Sequence, residues 1–166
     1  LLLCGRLPKP FMMGGTGSES ENQAMPDFLP DRAEAGTLNV PGFAGLTEGL
    51  KLVSREGPEA IGCREAALAA YTAKRLEKLG YEVFTGPHQL GTLSFRGRED
   101  CQTLCDRLEG FALRAGLHCA PLAHKSAGTL QTGTVRISFG WNSTREEAEK
   151  LMGEIEGIRY KIEDRR

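Results

Sequence analysis

The segment Arg114-Ala115-Gly116-Leu117-His118-Cys119-Ala120-Pro121 sets a thiol beside an imidazole and a few residues after a guanidinium. Gly116 and Pro121 bracket Cys119, so the stretch reads as a bent, exposed loop rather than regular helix. A cysteine that only fills core space belongs inside an apolar strand or helix. A thiolate nucleophile instead needs reach, solvent and nearby positive charge, which Arg114 can supply. His118 reads as a bystander, because adjacent residues on an extended loop can point oppositely, and His124 and Lys125 read as groups that solvate the loop. Cys101 and Cys105 fall on one face of a helix. Together with His118, Cys119 and His124 they suggest a metal site, but the zinc spacings are missing, so they read as core thiols and no metal is expected. Gly14-Gly15-Thr16-Gly17 invites a phosphate-loop reading that no following GxxxxGK[ST] pattern supports.

The elements that must hold these residues follow from periodicity. Apolar residues at helical spacing (Phe43, Leu46, Leu50, Val53) predict a helix from Pro41 to about Leu52, with Pro41 in its first turn. A second helix is expected from about Pro58 to Leu79, stopped by Gly80. Tyr81–Phe84 and Gly91–Phe95 read as short strands, Glu99–Leu108 as a helix, and Phe111–Arg114 as a strand feeding the Cys119 loop. Thr134–Phe139 alternates, with Val135, Ile137 and Phe139 on one face and Arg136 and Ser138 on the other. Ser143 or Thr144 before Glu146 and Glu147 signals a helix start, and that helix should run to about Ile158. The expected fold class is α/β: a small, mostly antiparallel sheet covered by helices. Residues 5–39 are rich in Gly, Pro and polar residues without periodicity, so they read as functional, disordered, or an arm laid over another surface.

With 166 residues the chain suffices for one ordinary core. Lys plus Arg number 21 and Asp plus Glu 22, a net charge of −1. No basic excess draws it to nucleic acid, and no apolar run approaches a bilayer span. Leu1-Leu2-Leu3-Cys4-Gly5 lacks the charged and apolar regions of a signal peptide and reads as the end of a buried strand. With no initiator Met, the chain is expected to begin inside a larger fold. Five cysteines without even spacing do not form a disulfide framework, so a reducing, cytoplasmic location is expected.

Three blocks occur in an order that resembles the class V aminotransferase family of fold-type I pyridoxal phosphate (PLP) enzymes: Glu34-Ala35-Gly36-Thr37-Leu38-Asn39, the Cys119 loop, and Val135 through Glu147. The resemblance is to its cysteine desulfurase and selenocysteine lyase branch, where Gly14 through Ser20 looks like the branch's variant loop. It implies that residues 40–166 form the C-terminal α/β small domain and residues 1–39 an arm and remnant of the large cofactor domain. It further implies that Cys119 is the nucleophile that receives sulfur as a persulfide. Arg136 would grip the carboxylate of L-cysteine in a bidentate contact, with Arg114 as a second active-site arginine. Gly36 and Thr37 would reach the PLP phosphate of the partner subunit in a homodimer. A sulfur-acceptor protein is a further implied partner.

One element of the family pattern is absent. The lysine that holds PLP, with its stacking histidine and ring-nitrogen aspartate, lies upstream in the family, so the chain as given is expected to be inactive alone. Two alternatives stand beside the desulfurase reading: a non-catalytic fragment serving binding or dimerisation, and an aminotransferase-type member in which Cys119 is dispensable.

Overall fold

A computed structural model describes residues 9–163, with side chains through residue 159. The expected strand at Leu1–Leu3 lies outside the described residues. The chain forms two compact units, one through Leu52 and one from Val53 onward.

Turns dominate the first unit, with a short 3₁₀ turn at Asp31–Ala33. Its polar residues satisfy one another locally. Thr16 and Ser18 share a hydroxyl hydrogen bond of 3.0 Å, Ser18 donates to Asp31, and Arg32 pairs with Asp27. Met25 and Pro26 are buried in this unit. Helix α1, Val40–Glu56, starts one residue before Pro41, which therefore sits in the first turn where its missing N–H costs nothing. The apolar stripe that predicts α1 is not covered: Phe43, Leu46 and Leu50 are 53%, 58% and 60% exposed.

The second unit holds the core. Helix α2, Pro58–Lys78, ends where Gly80 takes φ +79°. Gly80 N–H donates to Glu77 O (2.9 Å) and Tyr81 N–H to Leu76 O (3.1 Å), the paired bonds that close a helix on a left-handed glycine. Tyr81 is spent on that cap, so strand β1 is Glu82–Phe84 rather than starting at Tyr81. Strand β2 is Thr92–Arg96 and helix α3 is Cys101–Arg107, capped by the Asp100 carboxylate accepting from Thr103 N–H at 2.9 Å.

The expected strand at Phe111–Arg114 is corrected: strand β3 is Arg114–Gly116. Phe111 and Leu113 are turned by the bonds Phe111 N–H to Leu108 O and Leu113 N–H to Phe111 O, so only Arg114–Gly116 reach the sheet. A short helix α4, Pro121–Ser126, follows the Cys119 turn, where the sequence suggested continued loop. Strand β4, Thr134–Ser138, leads to helix α5, Arg145–Glu163. Thr144 is its cap: its hydroxyl accepts from Glu147 N–H (3.2 Å) while its own N–H reaches Glu147 Oε2 (2.8 Å).

The four strands run in the order β1-β2-β4-β3, every neighbour antiparallel. Helix α2 lies over β1 and β2, α3 over β3 and β4, and α2 packs on α5. Between them sit Leu76, Leu93, Phe95, Leu104, Val135, Ile137, Leu151, Met152 and Ile155. Cys101 and Cys105 pack against this cluster as core thiols. Since strand side chains alternate, burying Val135 and Ile137 turns Arg136 to the opposite face.

Candidate functional site

The register of the sheet puts Arg114 of β3 directly opposite Arg136 of β4, and Ser94 of β2 opposite Arg136 on its other side. Directly opposed residues of an antiparallel pair share a face with their Cβ atoms about 4.5–5.5 Å apart. Two like charges so placed repel unless an anion lies between them. Arg136 Nε is buried and has no hydrogen-bond partner, so this guanidinium carries an unused donor under the sheet surface. A buried unpaired donor costs stability and is relieved by an acceptor such as a carboxylate.

Cys119 is exposed, and Arg114 donates from Nη2 to its sulfur at 3.4 Å. The turn that carries it is tight. Ala120 N–H donates to Leu117 O (2.9 Å), and the two residues between, His118 and Cys119, both have positive φ, +52° and +60°. At the base of the loop Gly116 has φ +105° and lies against Gly133, whose missing Cβ would fall 2.9 Å from Gly116 Cα. Only two glycines allow that backbone approach.

The histidines behave differently from their sequence reading. His118 is half-buried and its Nε2 meets the Thr134 hydroxyl at 3.0 Å; its Nδ1 is buried without a partner. Burial, followed by Arg136, His124 and Arg114, holds its imidazole below the usual histidine range, so it is neutral at pH 7. His124 does not solvate the loop. It is buried on α4, with Nδ1 bonded to Thr129 Oγ1 at 2.7 Å and its ring centroid 5.5 Å from that of His118. The short helix rotates His124 inward while Lys125 stays exposed. Thr134 carried a usable signal, since the alternation that turns Arg136 to the polar face turns Thr134 there as well.

Gly36 and Thr37 belong to the first unit. Gly36 has φ +81° and its N–H donates to Gly15 O at 2.8 Å, tying the Gly14–Gly17 loop to the Gly36 turn. Gly36 N–H is thereby engaged, and the exposed Thr37 is the residue of this turn free to offer its hydroxyl outward. The described lysines are all exposed, so none is enclosed as a cofactor-tethering lysine must be. The residues present fit the carboxylate and sulfur ends of an amino-acid substrate, and a phosphate contact at Thr37.

A small antiparallel sheet covered by helices, with a cysteine turn and two opposed arginines at one end, defines a mixed α/β domain of the PLP-enzyme type. The aminotransferase class-V family model matches residues 3–151. The chain belongs to that family, in its cysteine desulfurase branch. It is 37% identical over 136 residues to a probable cysteine desulfurase of Xylella fastidiosa, covering 78% of this chain and 32% of that protein. To a probable cysteine desulfurase of Methanothermobacter thermautotrophicus it is 32% identical over 161 residues, covering 90% and 40%. Among solved structures, the apo cysteine desulfurase of Thermococcus onnurineus NA1 superposes with TM-score 0.78 at 28% identity, covering 91% of this chain and 39% of that one. The cysteine desulfurase CsdA of Escherichia coli gives TM-score 0.76 at 25% identity, covering 93% and 39%. The chain thus spans a third to two fifths of the length of these relatives. Membership of the family implies PLP-dependent chemistry.

Proposed function

We propose that this chain supplies the sulfur-accepting and carboxylate-binding part of a PLP-dependent cysteine desulfurase. The observation that carries the reading is the cluster of Cys119 Sγ 3.4 Å from Arg114 Nη2, with Arg136 directly opposite Arg114 across the sheet. In this reading residues 40–166 are the small domain and residues 1–39 the arm and remnant of the cofactor domain. Arg136 binds the substrate α-carboxylate through its guanidinium fork, and Arg114 neutralises charge between that carboxylate and the thiolate. Thr37, on the turn made by Gly36, offers a hydroxyl to the PLP phosphate of a partner subunit. When bound, PLP supplies the electron sink that labilises the substrate.

Cys119 acts as the thiolate. Its sulfur attacks the Sγ of L-cysteine, an S–S bond forms and the substrate Cβ–Sγ bond breaks. The electron pair of the broken bond stays on the substrate carbon, which takes up a proton and leaves as L-alanine. The enzyme keeps a persulfide on Cys119 for a sulfur-acceptor protein. Turnover requires a PLP-holding lysine, which none of the described, exposed lysines supplies, so in this reading the chain alone is inactive and the working enzyme is a cytoplasmic homodimer. The alternative of a non-catalytic binding or dimerisation module is supported by the exposed apolar stripe of α1.

The test is Cys119→Ala in the enzyme assembled with its lysine-bearing part. Alanine production from cysteine should fall at least a hundredfold while PLP absorbance is retained. Undiminished alanine production would remove Cys119 as the sulfur acceptor; amino-group transfer to a keto acid with the cysteine C–S bond intact would mark the aminotransferase-type alternative.

A further inference from the structure

We propose that His118 is a positioning residue: its imidazole, latched through Nε2 to the Thr134 hydroxyl at the start of β4, holds Cys119 in the turn that aims its sulfur at Arg114. The inference rests on reading Cys119 as the sulfur acceptor, and it gives the motif's histidine a task and adds the Thr134 hydroxyl, which lies outside the motif blocks.

The turn is one its own sequence disfavours. Both central residues of the Leu117–Ala120 turn have positive φ, a pairing met chiefly with Asn and Gly; His tolerates it better than most side chains, Cys does not. Two consecutive left-handed residues with side chains persist only where the surroundings over-determine them. Three contacts do so here. The Leu117–Ala120 backbone bond closes the turn, Gly116 against Gly133 fixes its base, and the His118–Thr134 bond of 3.0 Å ties its apex to the sheet. Thr134 is 2% exposed on the strand that also carries Arg136, so it is a rigid anchor rather than a mobile surface group. His118 and Cys119 are adjacent, so fixing the imidazole fixes the backbone from which Sγ projects toward Arg114. The ring suits this task in its neutral form, with one nitrogen bonded to the hydroxyl and no added cation beside Arg114 and Arg136.

Site-resolved alkylation by iodoacetamide, read by peptide mass spectrometry on this chain without cofactor, tests the latch. The quantity is the rate at Cys119 relative to the exposed Cys63. Thr134→Val, which keeps the shape and removes the hydroxyl, should lower that ratio more than threefold. Thr134→Ser should restore it. Arg114→Ala should give a similar loss, with no further loss when combined with Thr134→Val, because both act through one contact. Alkylation of the core-packed Cys105 reports unfolding. Should Thr134→Val expose it, the decision passes to His118→Phe, which fills the ring volume without the nitrogen and should show the same threefold loss. A loss under threefold in the folded variant, a Thr134→Ser protein as slow as Thr134→Val, or additive losses in the double variant would each overturn the latch. Because the assay uses no PLP and no turnover, the latch can fail while Cys119 remains the sulfur acceptor, and the reverse.

Discussion

Replacing Gly133 by alanine would set a new methyl 2.9 Å from Gly116 Cα and 3.0 Å from its carbonyl carbon. Both are backbone atoms, so no side chain can swing aside. Gly133 also has φ +62°, where an L side chain costs about 1–2 kcal/mol. Relieving the contact means moving the end of β3 by roughly half an ångström, an overpacking cost of about 1–3 kcal/mol. Together these give about 2–5 kcal/mol. Two other glycines separate the components. Gly128 has φ +67° with open space around it, so Gly128→Ala should show only the strain, about 1–2 kcal/mol. Gly153 lies exposed within α5 with nothing near, so Gly153→Ala should stabilise by about 0.5–1 kcal/mol through helix propensity. Urea unfolding followed by circular dichroism reads all three. With a slope of roughly 1.5 kcal/mol per molar, Gly133→Ala should lower the midpoint by about 1–3 M, more than Gly128→Ala, while Gly153→Ala should raise it slightly. A Gly133→Ala protein no less stable than Gly128→Ala would refute the argument that close backbone approach sets the base of the cysteine turn.

Two further outcomes follow from the site. In the enzyme assembled with its lysine-bearing part, Arg136→Ala should raise KM for cysteine about tenfold to a hundredfold, the loss of a charge-assisted carboxylate contact, with PLP binding retained; an unchanged KM would remove Arg136 from substrate binding. Burial, then the neighbouring Cys101 and Asp106, raises the Cys105 thiol to about 11. At pH 8 only about 0.1% of it is then thiolate, so iodoacetamide should modify Cys63 at least a hundredfold faster. Comparable rates would show that Cys105 is not held as a core thiol.

The helices were legible because their signals are local. Gly80 stops α2 through bonds to residues of the same helix, and Thr144 caps α5 through Glu147 three residues on. The alternation of Val135, Arg136 and Ile137 likewise declared its buried and polar faces before any partner strand was known. Boundaries failed where a residue was claimed by a neighbouring element, as Tyr81 was by the α2 cap and Phe111 and Leu113 by the turn before β3. The apolar stripe of α1 announced a helix without saying what covers it, because periodicity encodes a face and not its partner.

The candidate site divides along the same line. Sequence alone determined the reactive residue types, a thiol on a bent loop bracketed by Gly116 and Pro121 and an arginine on the polar side of a strand. It also determined the family, through ordered blocks of residues. Tertiary structure alone decided that Arg114 and Arg136 are directly opposed, that Gly116 and Gly133 touch, that His118 reaches Thr134, and that His124 turns inward. Each of these depends on the register between β3 and β4 and on how the chain between them folds back. Those are long-range pairings, and no local pattern of side chains specifies them.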